Sequence, residues 1–343
     1  MLRITWSDGR WLPSYLKAGA FGMVNGVPVY AGGMTQPWRE TECAWHYDSE
    51  RGDWLPVDPM PVGRCYTTCA TADDGLLVVG GRKSASGAFG NTLGDAWLLS
   101  RTDASWNWRH LPDMNQPRAE AALAVAGNVA VCAGGGSWET VHGGAFTSSS
   151  VTTAEMIDLA DPSSGWIDLG EPPFSPRSGM KAAAAGGSIW FTGGYDCWVD
   201  ENKARCFAYY DDVYRFDPVT REWEKKTALP VALSGHDAVS YADRYIILIG
   251  GCVRIPVCGQ QVMYAGFTKD DRGLLVGQYS DLVWVYDTLT DTIELLEERC
   301  PHALNDLRAC IDGETLYLAG GENADVTLSN TSNAFTIGTI ETV

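Results

Sequence analysis

Three arginines recur at the same position in three successive copies of a repeated motif. Arg64, Arg118 and Arg177 each stand 16 residues before the first glycine of a Gly-Gly pair. A guanidinium group presents forked N–H donors that match the two oxygens of a carboxylate. Three such groups meeting at one axis would hold an acidic ligand, so this trio is a candidate carboxylate clamp.

More polar residues follow the arginine position on the same side of the chain. Because side chains alternate along a strand, residues two and four places after that position share its face. The residues two places later are Ala18, Tyr66, Glu120, Gly179, His236 and Asp306. Those four places later are Ala20, Thr68, Ala122, Lys181, Ala238 and Arg308.

This face supplies candidates for acid–base chemistry and for substrate binding. Glu120 and His236 are the candidate catalytic base and acid, with Asp306 as a further candidate, because proton transfer requires side chains that titrate. The candidate substrate contacts are Arg64, Tyr66, Arg82, Arg118, Arg177 and Arg308. An architectural role stays open for each arginine, which could bind loop carbonyls or an acidic residue of the next repeat.

Six short apolar runs, each ending in paired glycines, make up the repeat that positions these residues. The pairs are Gly32-Gly33, Gly80-Gly81, Gly134-Gly135, Gly193-Gly194, Gly250-Gly251 and Gly320-Gly321. Each run predicts a buried strand whose exit needs a backbone conformation or a close approach that a Cβ would forbid. The first glycines are 48, 54, 59, 57 and 70 residues apart. A repeat of about 50 residues with Gly-Gly after an apolar strand is the kelch signature.

The residues around each pair predict four strands per repeat. After a variable loop, a further strand follows each of the first five pairs and carries an aromatic residue in four of them, and a strand carrying Trp comes next in four copies. Another short strand precedes each pair. The chain thus resembles a kelch β-propeller over essentially its whole length, which implies an all-β fold of six blades with four antiparallel strands each. Plain hairpin turns in another all-β fold are the alternative reading of the glycines.

The resemblance to a propeller sets further expectations. Innermost strands surround a central channel, so the polar residues above should gather at its mouth. Blades bury their faces only against each other, so we expect a single domain over residues 1–343. The N- and C-terminal strands should close the ring in one blade, which removes a free sheet edge; either end could supply the outermost strand. The long insertions after Gly194 and Gly251 should rise side by side.

The charge of the chain restricts its partners. Asp and Glu number 43 against 25 Lys and Arg, giving a formal net charge of −18. An acidic surface argues against nucleic acid and against anionic membranes, since both require basic residues. No stretch is long and apolar enough to cross a bilayer, and the first residues lack the apolar core of a secretory signal. We therefore expect a cytoplasmic protein, with an extracytoplasmic location as the alternative if a signal has been removed.

Cysteine and histidine spacing predicts neither a metal site nor a cofactor. None of the ten cysteines has CxxC spacing, and the five histidines form no suitably spaced pair. Two pairs of cysteines, Cys197 with Cys206 and Cys252 with Cys258, lie close together in loops. They could form disulfides in an oxidising compartment.

The layout is similar to that of bacterial N-acetylneuraminate epimerases, the sialic acid mutarotases. The similarity lies in the blade count, the two long insertions, and Leu229-Pro-Val-Ala-Leu-Ser-Gly235 leading into Ile247-Leu-Ile-Gly-Gly251. It implies an isomerase that exchanges the anomers of an acidic sugar. Kelch propellers of ubiquitin-ligase adaptors bind acidic peptides at the same mouth, so a binding module is the alternative. A lyase or hydrolase acting on another acidic carbohydrate is a third possibility. The expected partner is an acidic sugar or an acidic peptide, and nothing in the sequence sets an oligomeric state.

Overall fold

Six four-stranded antiparallel sheets make up the computed structural model of the protein. It describes residues 2–35, 39–85, 88–102, 105–140, 146–202, 205–258, 260–264, 268–269, 275–276, 279–323 and 331–342. The sheets are numbered as blades in chain order. Within each blade the strands are called inner, second, third and outer, in the order in which they are hydrogen-bonded.

The strands of the first three blades run in simple chain order. Blade 1 contains Ala20–Val24, Val27–Ala31, Ala44–Asp48 and Asp53–Val57. Blade 2 contains Thr68–Ala72, Gly75–Val79, Ala96–Arg101 and Trp106–Leu111. Blade 3 contains Ala122–Ala126, Val129–Ala133, Ala154–Asp158 and Ile167–Gly170, with a short 3-10 helix at Pro162–Ser164.

The sixth blade combines strands from the two ends of the chain. Blade 4 contains Lys181–Ala185, Ser188–Thr192, Val213–Asp217 and Glu222–Lys226. Blade 5 contains Asp237–Tyr241, Tyr245–Ile249, Val283–Asp287 and Thr292–Leu295. Blade 6 contains Arg308–Asp312, Thr315–Ala319, Phe335–Thr342 and Leu2–Asp8.

This architecture confirms the predicted six blades of four antiparallel strands. Leu2–Asp8 pairs antiparallel with Phe335–Thr342, so both terminal strands lie in blade 6 and the N-terminal one is outermost. The inner strand of each blade contacts that of the next, and the inner strand of blade 6 contacts that of blade 1. Among the described residues, no helix has the length and apolarity needed to cross a membrane.

A repeated backbone hydrogen bond joins neighbouring blades. The second glycine of each pair donates its N–H to the carbonyl oxygen of the residue that leads into the next blade. The six donors and acceptors are Gly33 and Arg64, Gly81 and Arg118, Gly135 and Arg177, Gly194 and Leu233, Gly251 and Leu304, and Gly321 and Leu16. These bonds link every blade to its neighbour, including blade 6 to blade 1.

Tryptophans of the outer strands form a second set of links. Each indole N–H donates to a carbonyl just after the outer strand of the preceding blade, at 2.8 to 3.0 Å. The pairs are Trp54 with Arg10, Trp108 with Asp58, and Trp166 with Pro112. The ring of each tryptophan covers apolar surface while its one polar atom is satisfied.

Hairpins follow the glycine pairs and rise from one end of the propeller, called here the loop end. They are Met34–Thr35 with Arg39–Glu40, Arg82–Ala85 with Ala88–Thr92, Gly136–Thr140 with Phe146–Ser150, and Tyr195–Val199 with Arg205–Tyr209. Between the second and third strands of blade 5, Cys252–Val257 pairs with both Ala232–Ser234 and Gln260–Met263, and Thr268–Lys269 pairs with Leu275–Val276.

The hairpin geometry settles one question about the cysteines. Cys197 lies opposite Phe207 and Cys206 lies opposite Trp198, so the two thiols are on opposite faces of the blade-4 hairpin. All ten cysteines are free thiols in this structure. Several of them, such as Cys132 and Cys310, are buried in strands as small core residues.

Two glycines with the same φ allow the cost of left-handed backbone to be measured separately from the cost of a steric clash at the blade junction. Gly80 and Gly127 both have φ of +56°. A Cβ on Gly80 would lie 2.2 Å from the carbonyl oxygen of Arg118, whereas a Cβ on Gly127 would meet nothing within 4 Å. Gly127→Ala should cost about 1 to 2 kcal/mol, the penalty for left-handed backbone. Gly80→Ala should cost at least about 3 kcal/mol, because the next blade must move.

Urea unfolding followed by tryptophan fluorescence measures both variants of this pair. Equal losses of unfolding free energy would contradict the junction described above.

Candidate functional site

The three arginines of the predicted clamp lie inside the blades. Their side chains are at most 1% exposed. Arg64 binds Asp95 through two hydrogen bonds of 2.7 and 2.6 Å and also donates to the carbonyl oxygen of Gly80. Burial would raise the pKa of the Asp95 carboxyl, but the hydrogen bonds from Arg64 hold that pKa below its ordinary value.

Arg118 and Arg177 repeat this arrangement in the next two blades. Arg118 Nη2 lies 2.6 Å from Glu155 Oε1, and Nη1 donates to the carbonyl oxygen of Gly134. Arg177 pairs with Asp212 and donates to the carbonyl oxygen of Gly193. The predicted convergence of the trio at the channel mouth is therefore wrong, because ion pairs within each blade hold the guanidinium groups. The architectural alternative describes them better, with an acid from the same blade rather than the next.

A second set of predicted residues does meet at the loop end of the channel. Just before the inner strand, each blade has one residue with positive φ, and these are Ala18, Tyr66, Glu120, Gly179, Gly235 and Asp306. Backbone hydrogen bonds run between neighbours of this ring. Glu120 donates to Tyr66, Gly179 to Glu120, Gly235 to Gly179 and Asp306 to Gly235, at 2.8 to 3.0 Å. The ring brings the side chains of Tyr66, Glu120 and Asp306 to one place.

Glu120 is a partly buried acid of this ring that is hydrogen-bonded to a neighbouring hairpin. The Tyr195 hydroxyl donates to Glu120 Oε2 at 2.8 Å. The tyrosine ring has room because the equivalent residue of blade 4 is Gly179, where a Cβ would lie 2.9 Å from the ring. Burial raises the pKa of the Glu120 carboxyl, the Asp306 carboxylate raises it further, and Arg82 opposes both. The Glu120 carboxylate in turn raises the pKa of the Tyr195 hydroxyl well above its ordinary value.

Arg82 places a positive charge beside these carboxyl groups. Its guanidinium carbon lies 4.3 Å from the centre of the Tyr66 ring, a cation–π contact. Burial, and then the carboxylate of Asp306, raise the pKa of the Tyr66 hydroxyl. The structure thus brings together four residues predicted from sequence, namely Tyr66, Arg82, Glu120 and Asp306. We call this group the mouth cluster.

His236 lies outside the mouth cluster, which corrects its place in the predicted face. Blade 5 has one residue more than the others between the positive-φ position and its first glycine, so Gly235 is the equivalent of Glu120. His236 is 0% exposed, and its Nε2 lies 2.9 Å from the Thr192 hydroxyl. Burial lowers its pKa to about 3, so the ring stays neutral. The shared dipeptides Ser178-Gly179 and Ser234-Gly235 reveal this shift in register.

With the register corrected, three consecutive blades place charged residues one step further into the channel. They are Lys181, Asp237 and Arg308, and we call them the channel layer. Asp237 Oδ1 lies 3.7 Å from Lys181 Nζ, and its Oδ2 accepts the N–H of Ala309 at 2.7 Å. Arg308 Nη2 donates to the carbonyl oxygen of Thr67. Arg308, predicted as a substrate contact, therefore lies beneath the mouth cluster.

Aromatic side chains of the two long insertions extend the site away from the channel. Tyr209 lies opposite Tyr195 on the blade-4 hairpin, with ring centres 6.3 Å apart, and Phe207 stacks on Tyr209. Arg254 of the blade-5 hairpin lies 4.4 Å above the Tyr209 ring and donates to its hydroxyl. The two insertions are thus in contact, as expected from their equivalent origins. Sequence reasoning missed these residues individually, although it singled out their segments.

Comparison with known proteins places these features in context. Residues 29–251 match the KLHDC2/KLHL20/DRC7 Kelch-repeats domain. The chain is 32% identical over 170 residues to the N-acetylneuraminate epimerase of Brucella suis, covering 49% of this chain and 40% of that protein. It is 24% identical over 259 residues to Kelch-like protein terF of Aspergillus terreus, covering 74% and 53% respectively. It is 27% identical over 287 residues to alpha-scruin of Limulus polyphemus, covering 82% and 27%. The chain spans about half or less of the length of these relatives.

Replacing the buried Arg118 should lower the free energy of unfolding, because its acidic partner stays behind without a counter-charge. In Arg118→Met the Glu155 carboxylate, which is 2% exposed, loses its ion partner. We expect a loss of about 3 to 5 kcal/mol in unfolding free energy. The double variant Arg118→Met with Glu155→Met should recover much of that loss, because no buried charge is left unpaired.

The matched control for Arg118→Met is a surface pair in blade 4. Arg215, whose side chain is 33% exposed, lies 3.4 Å from Glu224. Arg215→Met should cost less than about 1 kcal/mol in the same urea titrations. An Arg118→Met variant as stable as this control would show that the buried pair is not structural.

Proposed function

Because the chain belongs to the kelch-repeat family, we propose that it is a mutarotase-type isomerase that binds an acidic sugar of the sialic acid class over the mouth cluster. The observation that carries this proposal is Glu120, a partly buried carboxyl with a raised pKa, hydrogen-bonded to Tyr195 beside Asp306. Perturbed acids gathered in a concave site are typical of catalytic groups. The relative from Brucella suis, named an N-acetylneuraminate epimerase, supports the same class of substrate.

Anomer exchange requires one group that takes a proton and one that gives a proton. The anomeric hydroxyl loses its proton while the ring oxygen gains one, so the ring C–O bond breaks and an open-chain carbonyl forms. Closure on the opposite face of the carbonyl reverses these transfers. We assign both transfers to Glu120 in turn: its carboxylate, made more basic by the nearby Asp306 carboxylate, takes the proton of the anomeric hydroxyl, and the carboxyl group formed in this way then gives a proton to the ring oxygen. No covalent intermediate with the protein is needed.

Two arginines beside the mouth cluster are suited to the carboxylate of the sugar. Arg82 lies against Tyr66, within the cluster. Arg254 lies over Tyr209, and its Nε has no hydrogen-bond partner among the residues the structure describes. Holding the carboxylate at these guanidinium groups would fix the reacting carbon near Glu120. The rings of Tyr209 and Phe207 offer a flat surface for the less polar side of the sugar.

The alternative function is a binding module for an acidic peptide or protein. Its support is the exposed ring of Phe207 on the blade-4 hairpin, 47% exposed and stacked on Tyr209, over which Arg254 lies. The relatives named Kelch-like protein terF and alpha-scruin do not carry the name of an enzyme, which supports this alternative. A lyase or hydrolase acting on another acidic carbohydrate would use the same cluster. Binding of an acidic peptide, lost in Arg254→Gln, with no effect of the protein on sugars would favour the module.

The direct test of the proposal follows the anomers of the free sugar by NMR. Adding the protein to pure α-N-acetylneuraminate should accelerate its conversion to the β-anomer. Glu120→Gln should lower this rate by about 100-fold to 10,000-fold, the usual contribution of a general acid–base group. The control Glu222→Gln, on the exposed outer strand of blade 4, should leave the rate unchanged. Absence of any acceleration by the unaltered protein would overturn the mutarotase assignment.

The pH dependence of that rate should report the ionisation of Glu120. The group must be ionised to take a proton, and its pKa lies above the ordinary value of 4.5. The rate should therefore fall as the pH is lowered through a midpoint higher than 4.5. Arg82 lowers the pKa of Glu120, so Arg82→Gln should move that midpoint to still higher pH, whereas Arg215→Gln should not. A midpoint unaffected by Arg82→Gln would exclude Glu120 as the titrating base.

A further inference from the structure

The central channel contains a cavity on the far side of the channel layer from the mouth cluster. Its volume is about 240 Å³. It extends along the inner strands. At the start of these strands it is lined by Thr68, Lys181, Asp237 and Arg308, and near their ends by Thr71, Ala184, Ser240 and Ile311. Among the described residues, Tyr66, Glu120 and Asp306 do not line it. The cavity is thus approached from the end of the propeller opposite the hairpins, and it is separate from the site proposed above.

Arg308 brings a buried positive charge with an unsatisfied N–H donor to this cavity. Its side chain is only 6% exposed. Nη2 donates to the carbonyl oxygen of Thr67, but Nε has no hydrogen-bond partner among the described residues. Within the same part of the chain no carboxylate lies at ion-pair distance from Arg308, in contrast to the buried pair of Arg118 with Glu155. Burial would lower the pKa of the Arg308 guanidinium, but the carboxylates of Asp237 and Asp306 raise it, so the charge itself is compensated. The feature that favours a further anion is the free Nε–H, because a buried donor without a partner is costly.

The other charged groups near the cavity already have partners, so Arg308 is the group with a donor available for an anion. Asp237 is engaged by the Ala309 N–H and by Lys181. Asp306 lies two residues before Arg308, on the mouth side, and accepts from the Asn305 side chain. Lys181 adds a second cation that lines the cavity. Burial, and then the charge of Arg308, lower the pKa of the Lys181 ammonium, so an anion between the two would relieve their repulsion.

The remaining walls of the cavity are mostly apolar. They include Phe21, Leu123, Val125, Val239 and Ile311, together with several alanines. A cavity of about 150 Å³ with apolar walls is large enough to hold benzene. The volume here therefore accommodates a ring or short chain in addition to one charged group.

We propose that this cavity binds a small monocarboxylate with an apolar body, such as a short-chain or aromatic acid. The carboxylate lies on the Nε side of the Arg308 guanidinium, where N–H donors match two oxygens, with Lys181 beside it. The apolar body lies between the inner strands, toward Ser240. The site does not depend on the proposed isomerase activity, since no residue of the mouth cluster contributes to it.

Benzoate is a suitable probe, with benzyl alcohol as its uncharged counterpart. At constant ionic strength and pH, benzoate should raise the Tm in a saturable manner and should receive saturation transfer from the protein in NMR. At the same concentrations, benzyl alcohol should neither raise the Tm nor receive saturation transfer, and chloride should not raise the Tm. Equal effects of benzoate and benzyl alcohol, or no effect of benzoate, would overturn the proposal.

Two variants locate the effect in the cavity. Arg308→Met should weaken benzoate binding at least tenfold. Ser240→Phe keeps every charge but fills the far part of the cavity, so it should also abolish binding even if Arg308→Met folds poorly. Glu120→Gln and Arg215→Met should bind benzoate like the unaltered protein. Full binding by Ser240→Phe, or loss of binding in Glu120→Gln, would place the ligand elsewhere.

Discussion

The propeller depends on the hydrogen bond from the second glycine of each pair to the carbonyl oxygen that leads into the next blade. This bond recurs in all six junctions at 2.8 to 2.9 Å. In three blades the acceptor residue is an arginine, and its side chain turns back to bind the first glycine's carbonyl in its own blade. One residue therefore fixes both the spacing between blades and the fold within a blade. The carboxylate of each pair compensates the charge that this arrangement brings into the core.

The mouth cluster follows from the same junctions. Each junction is followed by a residue in the left-handed conformation, and non-glycine residues accept this strain at Tyr66, Glu120 and Asp306. Backbone strain of this kind is often found at functional sites. Glycines at the equivalent places in blades 4 and 5 leave space that Tyr195 and Asn305 occupy. Identical backbone geometry thus produces an asymmetric site, since the chemistry differs from blade to blade.

The glycine pairs and their spacing were sufficient to predict six blades of four strands, because only this repeat buries its apolar runs against neighbours. The offset from those pairs also located Tyr66, Glu120 and Asp306. It misplaced His236, since a single extra residue before Gly250 shifts every side chain of that strand by one place. It also misjudged the three arginines. The distance in sequence from the glycine pairs does not show that each arginine forms an ion pair with an acid that lies much later in the chain. These acids are Asp95, Glu155 and Asp212. Tyr209 and Arg254 lie in insertions without a repeat to align.

The outermost strand of blade 6 has a consequence for how the protein is made. Leu2–Asp8 leaves the ribosome before its partner Phe335–Thr342, which is synthesised some 330 residues later. During translation the first strand therefore has no sheet to join, and blade 1 has no neighbour on one flank. Circularisation must follow the synthesis of blade 6, so the nascent chain passes through an open-ring intermediate with two exposed blade faces.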